Sequence, residues 1–142
     1  YINTLVGYWA IQQERGEVYS PSTGIELPTG AVKSPDVAWV SDERLATLDQ
    51  DSDEQFLKVV PDFVVEVRSS TDRLKKLKSK MENTWMANGV RLAWLIDPYK
   101  ETVWIYRADQ EIEIVKGFEG KTLSGEEVLE GFELPLDRLR AK

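Results

Sequence analysis

Residues 62–68, DFVVEVR, constrain the chain more than any other stretch. Phe63, Val64, Val65 and Val67 favour strand, and Pro61 sits where a strand can begin because it needs no ladder N–H there. Strand alternation places Asp62, Val64, Glu66 and Arg68 on one face and Phe63, Val65 and Val67 on the other. Glu66 therefore lies among apolar neighbours, where a carboxylate is costly unless it is paired, hydrogen-bonded or bound to a cation. A helical pattern follows over 72–87, with Ser70 or Thr71 as its cap and Gly89 as its stop. A second apolar strand, RLAWLI at 91–96, comes next. Two strands joined by one helix predict a right-handed crossover and a parallel pair. The fold class is α/β with a mixed sheet.

The remaining segments fit around that unit. Residues 3–15 read as the end of an amphipathic helix, with Leu5, Tyr8, Trp9 and Ile11 near helical spacing and Gly16 as terminator. Val18 and Tyr19, then Ile25–Leu27, read as short strands separated by the turn Pro21-Ser22-Thr23-Gly24. DVAWV at 36–40 reads as a buried strand. Residues 41–58 read as an acidic surface excursion with a short helical pattern at Leu45 and Leu48. TVWIYR at 102–107 pairs with 91–96 as a hairpin across Asp97-Pro98-Tyr99-Lys100, and residues 111–115 read as a half-exposed edge strand, with Glu111 and Glu113 as its polar positions. The tail, 116–142, is expected to pack on the sheet's end. Trp39, Trp94 and Trp104 lie in strand patterns and are expected in the core. The chain, 142 residues long, suits one domain over 1–142; it begins at Tyr1 rather than Met, which leaves room for residues before it.

Composition narrows the chemistry. The chain has no Cys and no His, which removes thiol nucleophiles, Cys-type zinc sites and imidazole bases. Carboxylates, Lys, Arg, hydroxyls and a hard metal on oxygen ligands are left. The net charge of −7 argues against nucleic-acid binding through overall positive charge. No apolar run approaches the ~20 residues of a membrane span, and the N-terminal residues do not resemble a signal peptide. The cytoplasm is the expected location.

Two carboxylates stand out. Asp36 opens one apolar strand and Glu66 sits within another. If the strands are neighbours, both can converge on one hard cation, and Mg²⁺ is commonly held by one or two carboxylates with several waters. The helix that follows supplies the chain's one basic cluster: Arg68, Arg73, Lys75, Lys76, Lys78 and Lys80 against Asp72 alone, flanking an apolar stripe of Leu74, Leu77, Met81 and Trp85. Such a cluster could meet a phosphate backbone.

Pro35-Asp36, then Glu66-Val67-Arg68-Ser69, then the Lys-bearing helix, then Gly89 through Pro98 (GVRLAWLIDP) resemble the Uma2 family, as does the upstream stretch from Tyr19 to Gly30. The resemblance covers about residues 5–107. The family is mostly bacterial, numerous in cyanobacteria, and belongs to the PD-(D/E)XK nuclease superfamily. It implies a restriction-endonuclease-like mixed β-sheet flanked by helices and Mg²⁺- or Mn²⁺-dependent hydrolysis of phosphodiester bonds, with nucleic acid, DNA first, as partner. Asp36 and Glu66 match the metal-holding acids. The superfamily's Lys, two residues after the second acid, is Arg68 here, a phosphate clamp but a poor proton acceptor. A helix Lys takes over in Uma2 relatives, and Lys80 matches by position, although Lys80 to Trp85 is one residue longer than the family's usual spacing. Helical geometry alone puts Lys78 nearer the apolar stripe, so Lys78 is the reserve, and Arg68 and Lys78 are candidate substrate contacts. Glu14 is a candidate for the first-helix Glu that many nucleases of the superfamily use. Hydrophobic strand edges and surface aromatics suit a homodimer, as in many relatives of this fold.

Plainer roles stand beside these. Asp36 can cap a turn after Pro35. Glu66 can pair structurally with Arg68 or a helix lysine. Lys80 can belong to a solvated face. The alternative function is a catalytically degenerate nuclease fold that binds nucleic acid or protein. Asp36 and Glu66 close together with a Lys head aimed at them favour the enzyme; a Glu66 locked in an ion pair far from Asp36 favours the binding module.

Overall fold

The computed structural model describes residues 1–48 and 56–141. The acidic run at 49–55, the middle of the expected surface excursion, lies outside the described residues. The chain opens with helix α1 (Ile2–Gln13) and continues through strands β1 (Glu17–Tyr19), β2 (Ile25–Glu26), β3 (Val32–Lys33) and β4 (Val37–Val40). A short helix α2 (Asp42–Leu45) precedes strand β5 (Phe63–Val67) and helix α3 (Leu74–Lys80). Strands β6 (Leu92–Asp97), β7 (Thr102–Arg107), β8 (Glu113–Lys116), β9 (Thr122–Ser124) and β10 (Glu133–Pro135) complete it.

Six strands form one sheet in the order β1-β4-β5-β6-β7-β8. The β5–β6 pair is parallel, with Val65 opposite Trp94. Every other neighbouring pair in this sheet is antiparallel. The mixed α/β sheet expected from DFVVEVR and RLAWLI is present, with the helical segment between its two parallel strands.

Alternation in β5 divides the core. Phe63 and Val65 face α1 and the tail, in a cluster with Trp9, Trp39, Trp94 and Phe132. The Phe63 and Trp94 rings meet edge to face at 4.8 Å. Val64 faces the other way, into a cluster with Ile25, Met81, Trp85, Leu95 and Trp104. Glu66, two residues on, shares that second face.

Five expectations change. Of the apolar positions expected on α1, Tyr8 and Ile11 are exposed, and the buried face is Ile2, Val6, Trp9 and Ala10. The tail does not cap the end of the sheet: Leu123, Leu129, Phe132 and Leu134 bury against the α1 face, because β9 and β10 pair into a small sheet that presents its apolar residues together. Helix α1 ends on Glu14, left-handed at φ 51°, before Gly16. Gly16 serves a different need, since a Cβ there would strike the Val40 carbonyl and come within 2.7 Å of Trp39 Nε1. The helix expected over 72–87 starts at Leu74, and neither Ser70 nor Thr71 caps it; Arg73 is its N-cap residue without a side-chain bond. It then changes winding, to a π turn over Met81–Trp85 and a 3₁₀ turn over Met86–Asn88, before Gly89 stops it at φ 105°. The edge strand β8 runs 113–116 rather than 111–115, with Ile112 and Ile114 exposed. Among the described residues, no helix is long and apolar enough to cross a membrane.

Candidate active site

The site forms where the β4–β5 ladder runs out. Register pairs Val37 with Val65, so Asp36 and Glu66 fall one step beyond, opposite each other. There the side chains extend the ladder. Asp36 Oδ2 accepts the Val67 N–H at 2.7 Å, and Glu66 Oε1 accepts the Asp36 N–H at 3.3 Å. Each carboxylate is held by the other strand's backbone, a charge-assisted bond stronger than a neutral one.

Glu66 is 4% exposed, and its second oxygen is also engaged. Oε2 accepts the Trp85 indole N–H at 3.2 Å and lies 2.5 Å from Lys80 Nζ. The buried charge is thereby paired and hydrogen-bonded, which is what makes its burial tolerable. The Lys80 side chain keeps 29% exposure, so its ammonium bridges Glu66 and solvent. Asp36, Glu66 and Lys80 are brought together.

The winding of the helix brings Lys80 there. Five residues of regular α-helix turn through about 500°, leaving Lys80 and Trp85 about 140° apart. The π turn over Met81–Trp85 closes i→i+5 bonds and absorbs one extra residue. Lys80 and Trp85 then share a face. The one-residue excess over the usual Lys-to-aromatic spacing is accounted for in this way.

Arg68 and Lys78 are placed elsewhere. Arg68 Nη1 pairs with Asp97 at 3.2 Å, its Nε donates to the Asp72 carbonyl at 3.2 Å, and its guanidinium lies 5.7 Å from the Tyr99 ring centre. Asp97 is fully buried and also accepts the N–H groups of Tyr99 and Lys100. Arg68 thus neutralises Asp97 and fixes the turn between β6 and β7, rather than neutralising Glu66. Lys78 does lie against the apolar face, as helical geometry required, with Nζ 4.5 Å from the Trp104 ring centre. Glu14, at the far end of α1, stands about 16 Å along the helix axis from Asn3. It is Asn3 that reaches the site: its Nδ2 donates to the Asp36 carbonyl at 2.7 Å, and its buried Oδ1 has no partner. Neither Asn3 nor the Trp85 N–H carried a mark in the sequence; Trp85 stood out only as part of an apolar stripe.

The donor set can be tested for a metal. Among the described residues no group of three or more His, Cys, Asp or Glu gathers as a cage. Glu66 is buried and Asp36 half-buried; as an all-oxygen pair they suit a small hard cation that keeps most of its waters, and do not suit a tetrahedral nitrogen–sulfur metal.

A mixed sheet with helices beside it and one parallel pair at its centre is a restriction-endonuclease-like fold. The chain belongs to the Uma2 family, described as "Putative restriction endonuclease", whose match spans residues 1–137. Among solved structures, the chain is similar to "a putative nuclease belonging to DUF820" from Anabaena variabilis, with a TM-score of 0.81 at 17% identity, covering 97% of this chain and 75% of that one. At that identity the likeness is one of fold. No curated protein matches the chain.

Proposed function

We propose that the chain is a metal-dependent endonuclease that hydrolyses phosphodiester bonds of nucleic acid, with DNA as the first substrate to test. The observation that carries this is the interlocked pair Asp36–Glu66 with the Lys80 ammonium on Glu66 Oε2. Asp36 and Glu66 would hold Mg²⁺ or Mn²⁺. When bound, such an ion polarises the scissile phosphate and lowers the pKa of a coordinated water, so no imidazole base is needed.

The chain's own groups do the rest. The Val67 N–H and the Trp85 indole fix the two carboxylates before substrate arrives, which spares reorganisation during the reaction. Lys80 presents its ammonium beside that pair, where it stabilises negative charge developing on the phosphate oxygens. Arg68 stays with Asp97 and takes no part in the chemistry.

A second function is favoured by one observation. Glu66 finds all its partners within the chain, as a degenerate nuclease fold retained for binding would arrange. Nicking of supercoiled plasmid in Mg²⁺ or Mn²⁺ decides between them, with Asp36→Ala and Glu66→Ala as comparisons and a structured RNA as the parallel substrate. Cleavage by the wild type alone supports the nuclease. Equal cleavage by all three proteins overturns the site, and a wild type that cuts neither substrate leaves the binding module.

A further inference from the structure

We propose that the groove between β3 and the outer side of α3 is a phosphate track that leads the nucleic-acid backbone into Lys80. The proposal rests on the function above and adds the surface by which substrate is held.

The groove encloses about 330 Å³ and is lined by Lys33, Asp72, Arg73, Lys76 and Lys80, among others. Arg73, Lys76 and Lys80 follow i, i+3, i+7 spacing, which aligns them along one side of the helix. Lys33 faces them from β3. Its register partner Ile25 is buried with Met81 and Trp85, which ties the β2–β3 hairpin to the helical segment. Lys80 belongs to both the groove and the site, so the track has a defined inner end.

Most arginines outside this groove hold carboxylate partners. Arg68 pairs with Asp97, Arg44 and Arg91 with Asp62, Arg107 with Glu113 and Glu126, and Arg140 with Glu101. Lys33, Arg73 and Lys76 are exposed, and among the described residues they form no ion pair. In a chain of net charge −7, three neighbouring cations without carboxylate partners are a concentrated positive feature. Asp72 is the lining carboxylate, and it already accepts the Ser69 N–H at 2.9 Å. From Arg73 to Lys80 the helix rises about 10 Å, the axial length of about three nucleotides of one strand at ~3.4 Å each. Cations at that spacing match successive phosphates and carry no base-specific information.

The test is fluorescence anisotropy of labelled 20-nucleotide DNA, single-stranded and duplex, and of RNA of the same sequence, titrated in EDTA so that no cutting intervenes. The triple variant Lys33→Gln, Arg73→Gln, Lys76→Gln is compared with a charge-matched control on the tail and β8, Lys116→Gln, Lys121→Gln, Arg138→Gln. All six side chains are exposed, and circular dichroism checks that both proteins fold. We expect the groove variant to bind about tenfold or more weakly at 50 mM salt and its log K against log salt slope to fall by about 2–3. The control should stay within about twofold of wild type. Equal losses in both variants, or a wild type that binds none of the three probes at low salt, overturn the track. Because binding is read without metal, a protein that binds through the groove but never cuts sinks the nuclease function and leaves the track standing.

Discussion

Lys80 and Trp85 stand five residues apart in sequence yet converge on one oxygen, Glu66 Oε2, at 2.5 and 3.2 Å. The π turn between them makes this possible, and single-turn π segments are often found at functional sites. It acts as a one-residue insertion that the helix absorbs locally. Deleting exposed Glu82 should convert the turn to ordinary α winding and keep Lys80 and Trp85 on one face. Deleting Lys76 instead rotates everything after it by about 100°. The first variant should unfold close to the wild-type temperature and retain Mg²⁺-dependent nicking, whereas the second should lose both. Thermal melts and plasmid nicking check the pair, and the idea fails if both deletions behave alike.

Trp85 holds Glu66 through one hydrogen bond to a buried charge. Trp85→Phe keeps an aromatic ring in the fully buried position but removes the donor. Leaving a buried carboxylate one partner short costs about 1–3 kcal/mol, read as a lower urea midpoint. Mn²⁺ affinity, measured by calorimetry, should fall with it, because Glu66 is no longer fixed. A fully preserved affinity would make Trp85 a packing residue only.

Lys80 competes with any cation for Glu66 Oε2. Lys80→Met should therefore tighten Mn²⁺ binding while slowing nicking by about 10²–10³, the usual cost of one electrostatic stabiliser. In metal-free buffer the same variant should be about 1–3 kcal/mol less stable, less than for a fully buried pair because Lys80 is 29% exposed. Weaker metal binding in this variant would contradict the competition.

Arg68 serves the fold. Arg68→Ala strands Asp97, which is fully buried, and should cost about 2–4 kcal/mol in chemical denaturation, near the range for a broken buried pair. At a temperature where the variant is still folded, single-turnover nicking should remain within a few-fold of wild type. A stable protein with no cleavage would return Arg68 to the chemistry.

Two phenols should make stability fall at alkaline pH. Burial first, and the Glu82 charge second, push Tyr106 up to about 12. Burial, helped by Glu17, does the same for Tyr19. A pKa raised on folding means stability that is full below the unfolded value near 10 and is lost as pH rises toward 12. Urea midpoints measured at pH 8, 10 and 11.5 should fall over the upper interval and fall less in Tyr106→Phe. A flat profile in the wild type would remove the basis for this.

Glu66 was legible in the sequence because a charge inside an apolar strand has few inexpensive explanations. Asp36, at the start of its strand, stood out mainly through the Pro35-Asp36 resemblance, and the parallel β5–β6 pair followed from one helix between two apolar strands. The partner of Arg68 was within reach as well. Continuing the register of Val67 with Ile96 by one step sets Arg68 against Asp97. Lys80 was not recoverable from α-helical periodicity, since a π turn depends on packing around Met81 and Trp85, and its one trace in the sequence is the extra residue between Lys80 and Trp85. Asn3 was invisible because its role depends on where α1 crosses the end of β4. The tail's apolar residues were plain, but the face they cover is decided by how β9 and β10 pair.

The bonds by which Asp36 and Glu66 grip each other's strands have a consequence for descent. Those carboxylates close the last rung between β4 and β5, so folding alone would keep them in a lineage that had stopped cutting. Lys33, Arg73 and Lys76 bear no such structural duty. Decay of function in a relative of this chain would be written first in its groove, while its two acids stayed in place.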